Sequence, residues 1–145
     1  MAAIKTKNKL KRDILEMLIS TARRAANCAY APYSGIRVGA AVLTQNDRVF
    51  VGCNVENASY GLTNCAERVA IQNAVAAGEK RIAAVAVFSP DIKGIMPCGA
   101  CRQVMAEFSG PRGLLVIVDG KKGMEAIPLG KLLPRAFGVK DRGTG

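Results

Sequence analysis

The sequence predicts an α/β fold in which a mixed sheet carries helices on both sides. Three observations lead there. The chain opens on an amphipathic stretch with apolar residues at Leu10, Ile14, Leu15, Leu18, Ile19, Ala22, Ala25 and Ala29, the spacing of a helix that buries one face. Two strand-like segments joined by Gln45-Asn46-Asp47 then read as a hairpin. After the hairpin, helical and apolar strand segments alternate, and a strand–helix–strand order calls for parallel crossovers.

Each element has its own signal. The first helix is expected over Leu10–Tyr30, with Asp13 and Glu16 near its start and Arg23 and Arg24 towards its end, the order the helix dipole favours. Ala31-Pro32-Tyr33-Ser34-Gly35 breaks it. Ile36, Val38, Ala40 and Val42 alternate as one face of a strand, and Val49–Cys53 follows as the second. Gly39-Ala40-Ala41 is small on both faces, so a helix should pack closely there. Asn54–Asn64 is a polar loop between a strand and a helix, a placement that often carries a site. Cys65–Ala77 reads as a largely buried helix ended by Gly78. Ile82–Phe88 and Leu114–Val118 are continuous apolar runs of strand length, hence buried strands. Between them lie a loop, Ser89–Pro97, and a helix, Cys98–Phe108, with Pro97 at or just before its first turn, where a missing N–H costs nothing. Asp119–Gly123 is a turn, Met124–Ile127 a short edge strand and Leu129–Leu133 a short helix. One domain is expected over 10–137, between a basic, disordered tail (1–9) and a polar tail (138–145).

Composition narrows the function classes. A chain of 145 residues suits one domain with one core. With 5% aromatics and no Trp, Ala, Val, Ile and Leu must fill that core. No apolar run approaches the roughly 18 residues of a membrane span. The basic N-terminus leads into no apolar segment of signal-peptide type, because Asp13, Glu16 and Arg23 interrupt it. A cytoplasmic location is expected. The net charge is +10, which fits nucleic-acid binding as one reading. However, Lys5, Lys7, Lys9, Lys11 and Arg12 all precede the first acid, so part of the charge reads as a solvated tail.

The chain has no His, which excludes a Ser-His-Asp triad, a Cys-His pair and His-ligated metal within one chain. Its five cysteines are an odd number, and in a reducing compartment cysteines serve more often as metal ligands or catalytic groups than as disulfides. Cys98 and Cys101 sit at i, i+3 on one face of a first helical turn, and Cys65 starts another helix. Helix N-termini lower thiol pKa values and make thiolates available. Three thiolates with an open fourth position are the arrangement of a catalytic zinc. Alone, Cys-X-X-Cys also reads as a structural zinc knuckle or a redox pair. Cys53 is the one cysteine placed to close the site, and Cys28 reads as a small core residue. Arg68, three residues after Cys65, can offset the net −1 charge of Zn²⁺ with three thiolates. Glu67 lies near the metal but aims elsewhere, so it suits a proton carrier rather than a ligand. A Glu in a first helical turn is also an ordinary dipole partner.

Cys65-Ala66-Glu67 with Pro97-Cys98-Gly99-Ala100-Cys101-Arg102-Gln103 resembles the zinc-site signature of the cytidine deaminases, in particular the small homotetrameric branch with three cysteine ligands. The resemblance runs from about Leu10 to Phe137 and includes Tyr30-Ala31-Pro32-Tyr33-Ser34, Val38-Gly39-Ala40-Ala41, Gly52-Cys53-Asn54-Val55-Glu56-Asn57-Ala58 and Leu132-Leu133-Pro134-Arg135-Ala136-Phe137. It implies a three-layer α-β-α fold about a five-stranded mixed sheet. It implies attack of zinc-activated water on C4 of cytosine, with Glu67 moving protons to N3 and to the leaving ammonia, and so conversion of cytidine and deoxycytidine to uridine and deoxyuridine. Asn54 and Glu56 would then meet the ribose hydroxyls. The backbones of Ala58 and Cys65 would contact the base, and the Met96 carbonyl would sit near the leaving amine. Phe137 would reach a neighbouring subunit's pocket in a homotetramer.

One position departs from the family pattern. Where an aromatic usually flanks the pyrimidine, this chain has Ile36. An aliphatic side chain forfeits stacking of about 1 kcal/mol and reshapes the pocket. This keeps open a deaminase of a modified cytidine or related nucleoside. A nucleic-acid-binding or editing zinc protein is less favoured. The Glu56 carboxylate would repel a 3′-phosphate, and few aromatics are present to stack successive bases.

Overall fold

The computed structural model describes residues 5–6 and 9–139. Most of the expected basic tail and all but two residues of the polar C-terminal tail lie outside the described residues. At the N-terminal end Lys5–Thr6 pairs with Lys9–Leu10 in a short antiparallel ribbon.

The chain then runs through α1 (Arg12–Ala26), the hairpin β1 (Gly39–Thr44) and β2 (Val49–Cys53), α2 (Ala66–Ala76), β3 (Ile82–Phe88), α3 (Gly99–Phe108), β4 (Leu115–Gly120), β5 (Gly123–Pro128) and the short α4 (Leu129–Leu132). The five strands form one sheet in the order β2-β1-β3-β4-β5. β1 pairs antiparallel with β2 and with β3, β3 runs parallel to β4, and β5 returns antiparallel. The sheet is therefore mixed. α3 links neighbouring parallel strands, whereas the α2 crossover links two parallel strands that β1 separates.

Strand alternation splits the core into two layers. On one face Leu18, Ile19 and Ala22 of α1 pack on Ala41, Leu43, Ala84, Ala86 and Ile117. On the other, Ala70, Ile71 and Ala74 of α2 and Cys101 and Met105 of α3 pack on Ala40, Val42, Val85, Val87 and Val116. This is the expected three-layer α-β-α architecture.

Two glycines set how closely the layers meet. A Cβ on Gly39 would fall on the Ala22 carbonyl oxygen and the Ala26 nitrogen of α1. One on Gly52 would fall on Ala66 and Ala70 of α2. Both helices therefore touch the sheet backbone to backbone, in line with the small residues read at 39–41.

Two boundaries and the placing of one cysteine differ from expectation. α1 stops at Ala26, with Asn27 as its C-cap, rather than at Tyr30. The chain leaves the helix because Tyr30 pairs with the loop after β2, donating to Asn54 and accepting from Glu56. Cys28 lies beyond that helix end and is exposed, so it is not a core residue. Ile36 and Val38 precede β1 and take no part in its ladder. The Asn54 side chain holds them instead, donating to the Ile36 carbonyl at 2.8 Å and accepting from the Val38 N–H at 2.8 Å. No helix among the described residues is long and apolar enough to cross a membrane.

Candidate active site

Two helix starts converge on the same face of the sheet. Cys65 is the N-cap of α2, with φ −71° and ψ 153°, and Cys98 is the N-cap of α3, with φ −66° and ψ 168°. Cys98 uses its sulfur as the cap, accepting from the Cys101 N–H at 3.5 Å. The sulfurs of Cys65, Cys98 and Cys101 all lie within 4.8 Å of one another, and those of Cys65 and Cys98 are 3.9 Å apart. Tetrahedral zinc, with Zn–S of about 2.3 Å, sets its sulfurs about 3.8 Å apart. The three cysteines thus fit a zinc ion with little movement. Cys53 is outside this cluster and does not close it.

The surroundings favour sulfur in its thiolate form. The Arg68 guanidinium donates through Nη2 to Cys65 Sγ at 3.5 Å and to the Thr63 carbonyl at 3.1 Å. Its Nε is buried without a partner. The Cys65 thiol is lowered to about 5, first by a hydrogen bond from Cys101 and then by Arg68, against the opposing effect of burial. Cys101, the donor in that pair, is pushed up by the same bond and by burial. Cys65 is thus the sulfur that the guanidinium touches.

Glu67 occupies the first turn of α2 and is 4% exposed. Burial pushes its carboxyl up to about 7, with a further contribution from the Cys65 charge. A group with that pKa exchanges a proton readily at neutral pH.

The residues expected to contact substrate differ in burial and in hydrogen bonding. Asn54 is buried, and its amide is engaged by the backbone of Ile36 and Val38. The Glu56 carboxylate accepts from the N–H groups of Tyr33 at 2.9 Å and Ser34 at 3.2 Å, and from the Ser34 hydroxyl. These bonds, that of the Ser34 hydroxyl foremost, hold its pKa below the usual carboxylate range. Ile36 is half-buried, whereas Ala58 and Met96 are exposed. The Phe137 ring is 78% exposed, while its backbone is bracketed by the Gln103 amide at 3.2 and 2.9 Å.

Sequence reasoning missed two features nearby. Ser34 fastens Glu56, a link that only the turn ahead of β1 reveals. Arg37 and Asp91 join the segment before β1 to the loop before α3: Asp91 accepts from the Arg37 N–H at 2.8 Å, Nε at 3.1 Å and Nη2 at 2.9 Å. The two residues lie 54 positions apart, and no local signal pairs them.

Comparison with known proteins agrees with this geometry. Residues 12–117 match the model of the cytidine and deoxycytidylate deaminase zinc-binding region. The cytidine deaminase of Halalkalibacterium halodurans is 46% identical over 127 residues, covering 87% of this chain and 96% of that protein. The crystal structure of cytidine deaminase from Burkholderia pseudomallei superposes with a TM-score of 0.78 at 50% identity, over 84% of this chain and 98% of that one. That of the Mycobacterium tuberculosis enzyme gives 0.76 at 45% identity, over 86% and 97%. With the family's zinc-binding region matched across most of its length and relatives of this identity spanning nearly their whole chains, the protein belongs to the cytidine and deoxycytidylate deaminase family.

Proposed function

We propose that the protein is a hydrolase that deaminates cytidine and deoxycytidine with the aid of zinc, consuming water and giving uridine or deoxyuridine and ammonia, a step of pyrimidine salvage. The observation that carries this reading is the buried carboxyl of Glu67 in the first turn of the helix that starts at one of three clustered thiols. Cys65, Cys98 and Cys101 would hold the zinc ion, which would supply a Lewis acid that brings the pKa of a water molecule towards neutrality. Glu67 receives the proton of that water, passes it to N3 of the pyrimidine and assists the departure of ammonia. Its burial suits both directions of transfer, because neither protonation state is strongly favoured at neutral pH. Arg68 balances the charge at Cys65.

The nucleoside is held by the surrounding loops. Asn54 and Glu56 face the ribose hydroxyls. Each keeps hydrogen-bonding capacity beyond its present partners, since an amide has two N–H groups and a carboxylate about four lone-pair sites. The existing bonds brace both side chains for that role. Ala58 and Cys65 contact the base through their backbones, the Met96 carbonyl meets the exocyclic amine, and Ile36 flanks the ring.

The catalytic unit spans 10–137 and acts in the cytoplasm as a homotetramer with shared sites. Support for assembly comes from the exposed apolar side chains of the edge strand and the loop after it, Val49, Val51, Val55, Tyr60 and Leu62, together with Phe137. Such patches mark protein interfaces. Nucleic acid is disfavoured because a Glu56 carboxylate beside the ribose hydroxyls would repel a 3′-phosphate.

The test is zinc analysis of the purified protein with a spectroscopic cytidine-to-uridine assay. Zinc bound stoichiometrically with steady loss of cytidine absorbance is expected; zinc-loaded protein inert on cytidine overturns the reading. Ile36 favours a second reading, tolerance of altered bases. Ile36→Phe is expected to lower KM for cytidine and narrow a panel of N4-modified nucleosides, and unchanged KM and selectivity would sink that idea.

A further inference from the structure

On the reading proposed above, two segments from distant parts of the chain would wall the nucleoside pocket. One is the segment Ser34–Val38, which carries Ile36. The other is the loop 89–97, which carries Met96 and leads into Cys98. Neither lies in a strand or helix.

The first wall is held mainly by side chains, beside one backbone bond from the Asn54 N–H to the Val38 carbonyl at 3.1 Å. Ile36 N–H donates to the Ser34 hydroxyl at 3.0 Å, and Asn54 takes the Ile36 carbonyl and the Val38 N–H. The second wall is fixed from its own side. The Ser89 hydroxyl accepts from the N–H groups of Asp91 and Ile92, each at 3.1 Å, and Lys93 pairs with Asp119 at 2.8 Å. Among the described residues, only the three bonds between Arg37 and Asp91 are hydrogen bonds joining one wall to the other. They grip backbone as well as guanidinium, so they set the position of the chain beside Ile36 and not merely that of a side-chain tip. A carboxylate meeting two guanidinium nitrogens is also directional.

We infer that Arg37 and Asp91 form a positioning clamp that fixes the width of the nucleoside pocket and so governs substrate affinity more than turnover, an inference that rests on the deaminase reading above. Turnover is spared because Glu67 and the three cysteines are anchored at the starts of α2 and α3, independently of the clamp. The side chains are 49% and 28% exposed, and pairs so open to solvent contribute little to global stability.

The experiment compares zinc-loaded wild type with Arg37→Ala, Asp91→Ala and the double variant, reading kcat and KM for cytidine, zinc content and hydrogen exchange. KM should rise about fivefold to tenfold with kcat within about twofold. The double variant should be no worse than either single, Arg37→Lys should recover part of the loss, and exchange should quicken at 33–38 and 89–97. Unchanged KM in folded, zinc-loaded variants, or singles whose effects add in the double, overturns the clamp. Asp91→Asn replaces any alanine variant that fails to fold. If the wild type leaves cytidine untouched, the deaminase reading fails, and the clamp stands or falls on exchange at the two segments.

Discussion

The two carboxylates assigned to the proposed site, Glu67 and Glu56, are driven in opposite directions by their surroundings. Burial raises Glu67 to about 7, whereas the Ser34 hydroxyl and two backbone N–H groups keep Glu56 ionised. One is fitted to move a proton, the other to accept hydrogen bonds without taking one. Glu67→Gln should retain zinc, which the cysteines hold, and lose about 10²- to 10⁴-fold in kcat; metal analysis beside the deamination assay separates the two effects. Cys98→Ala should instead fail to hold stoichiometric zinc. The Asp91 carboxyl lies below its ordinary value, chiefly through its hydrogen bond from Arg37. A depressed carboxylate contributes stability above its unfolded pKa and loses it as pH falls through the folded value. Because the pair is open to solvent this contribution is small, and urea midpoints of wild type should fall only slightly more steeply below about pH 4 than those of Asp91→Asn. Spacing alone placed Cys98 and Cys101 on one helical face, because i, i+3 partners share a turn; that Cys65, 33 positions earlier, joins them was legible only through the family signature. The partners of Asn54 and Glu56 were not: they lie 16 to 23 positions upstream, in a turn whose fold no local pattern reveals.

At the scale of elements, the site depends on where two helices begin. Both start at a cysteine, and α2 is seated on the sheet through Gly52, against Ala66 and Ala70. Gly52→Ala would drive a methyl group into the first turns of α2, the turns that carry Glu67. It should cost about 1–3 kcal/mol in urea unfolding and weaken zinc binding in a competition assay, although residue 52 is not a ligand. The sequence showed these helices and the buried strands β3 and β4 well, since long apolar runs and capping positions are local signals. It misjudged the end of α1 and the start of β1. At both places a distant group, the loop after β2 or the Asn54 amide, takes the backbone partners that a helix or ladder would otherwise supply.

For the whole molecule, the order of elements was enough to give a mixed sheet between helices, but not the position of β1 between two parallel strands. That depends on strand pairing, which the crossover rules leave open. Assembly is the remaining large-scale feature. In solution the protein should have a mass near four times its 15.3 kDa chain, measured by light scattering, and Phe137→Ala should shift it towards smaller species or raise KM. Finally, the three cysteines lie at graded depth: Cys101 is buried, Cys65 intermediate and Cys98 exposed. The thiols of the ion-free chain should therefore differ in reach: among the three, a thiol-reactive electrophile is expected to label Cys98 first and Cys101 last, the order being read by peptide mass spectrometry. Cys98 and Cys101 share the first turn of α3, so a modification of the outer sulfur also disturbs the hold of the inner one.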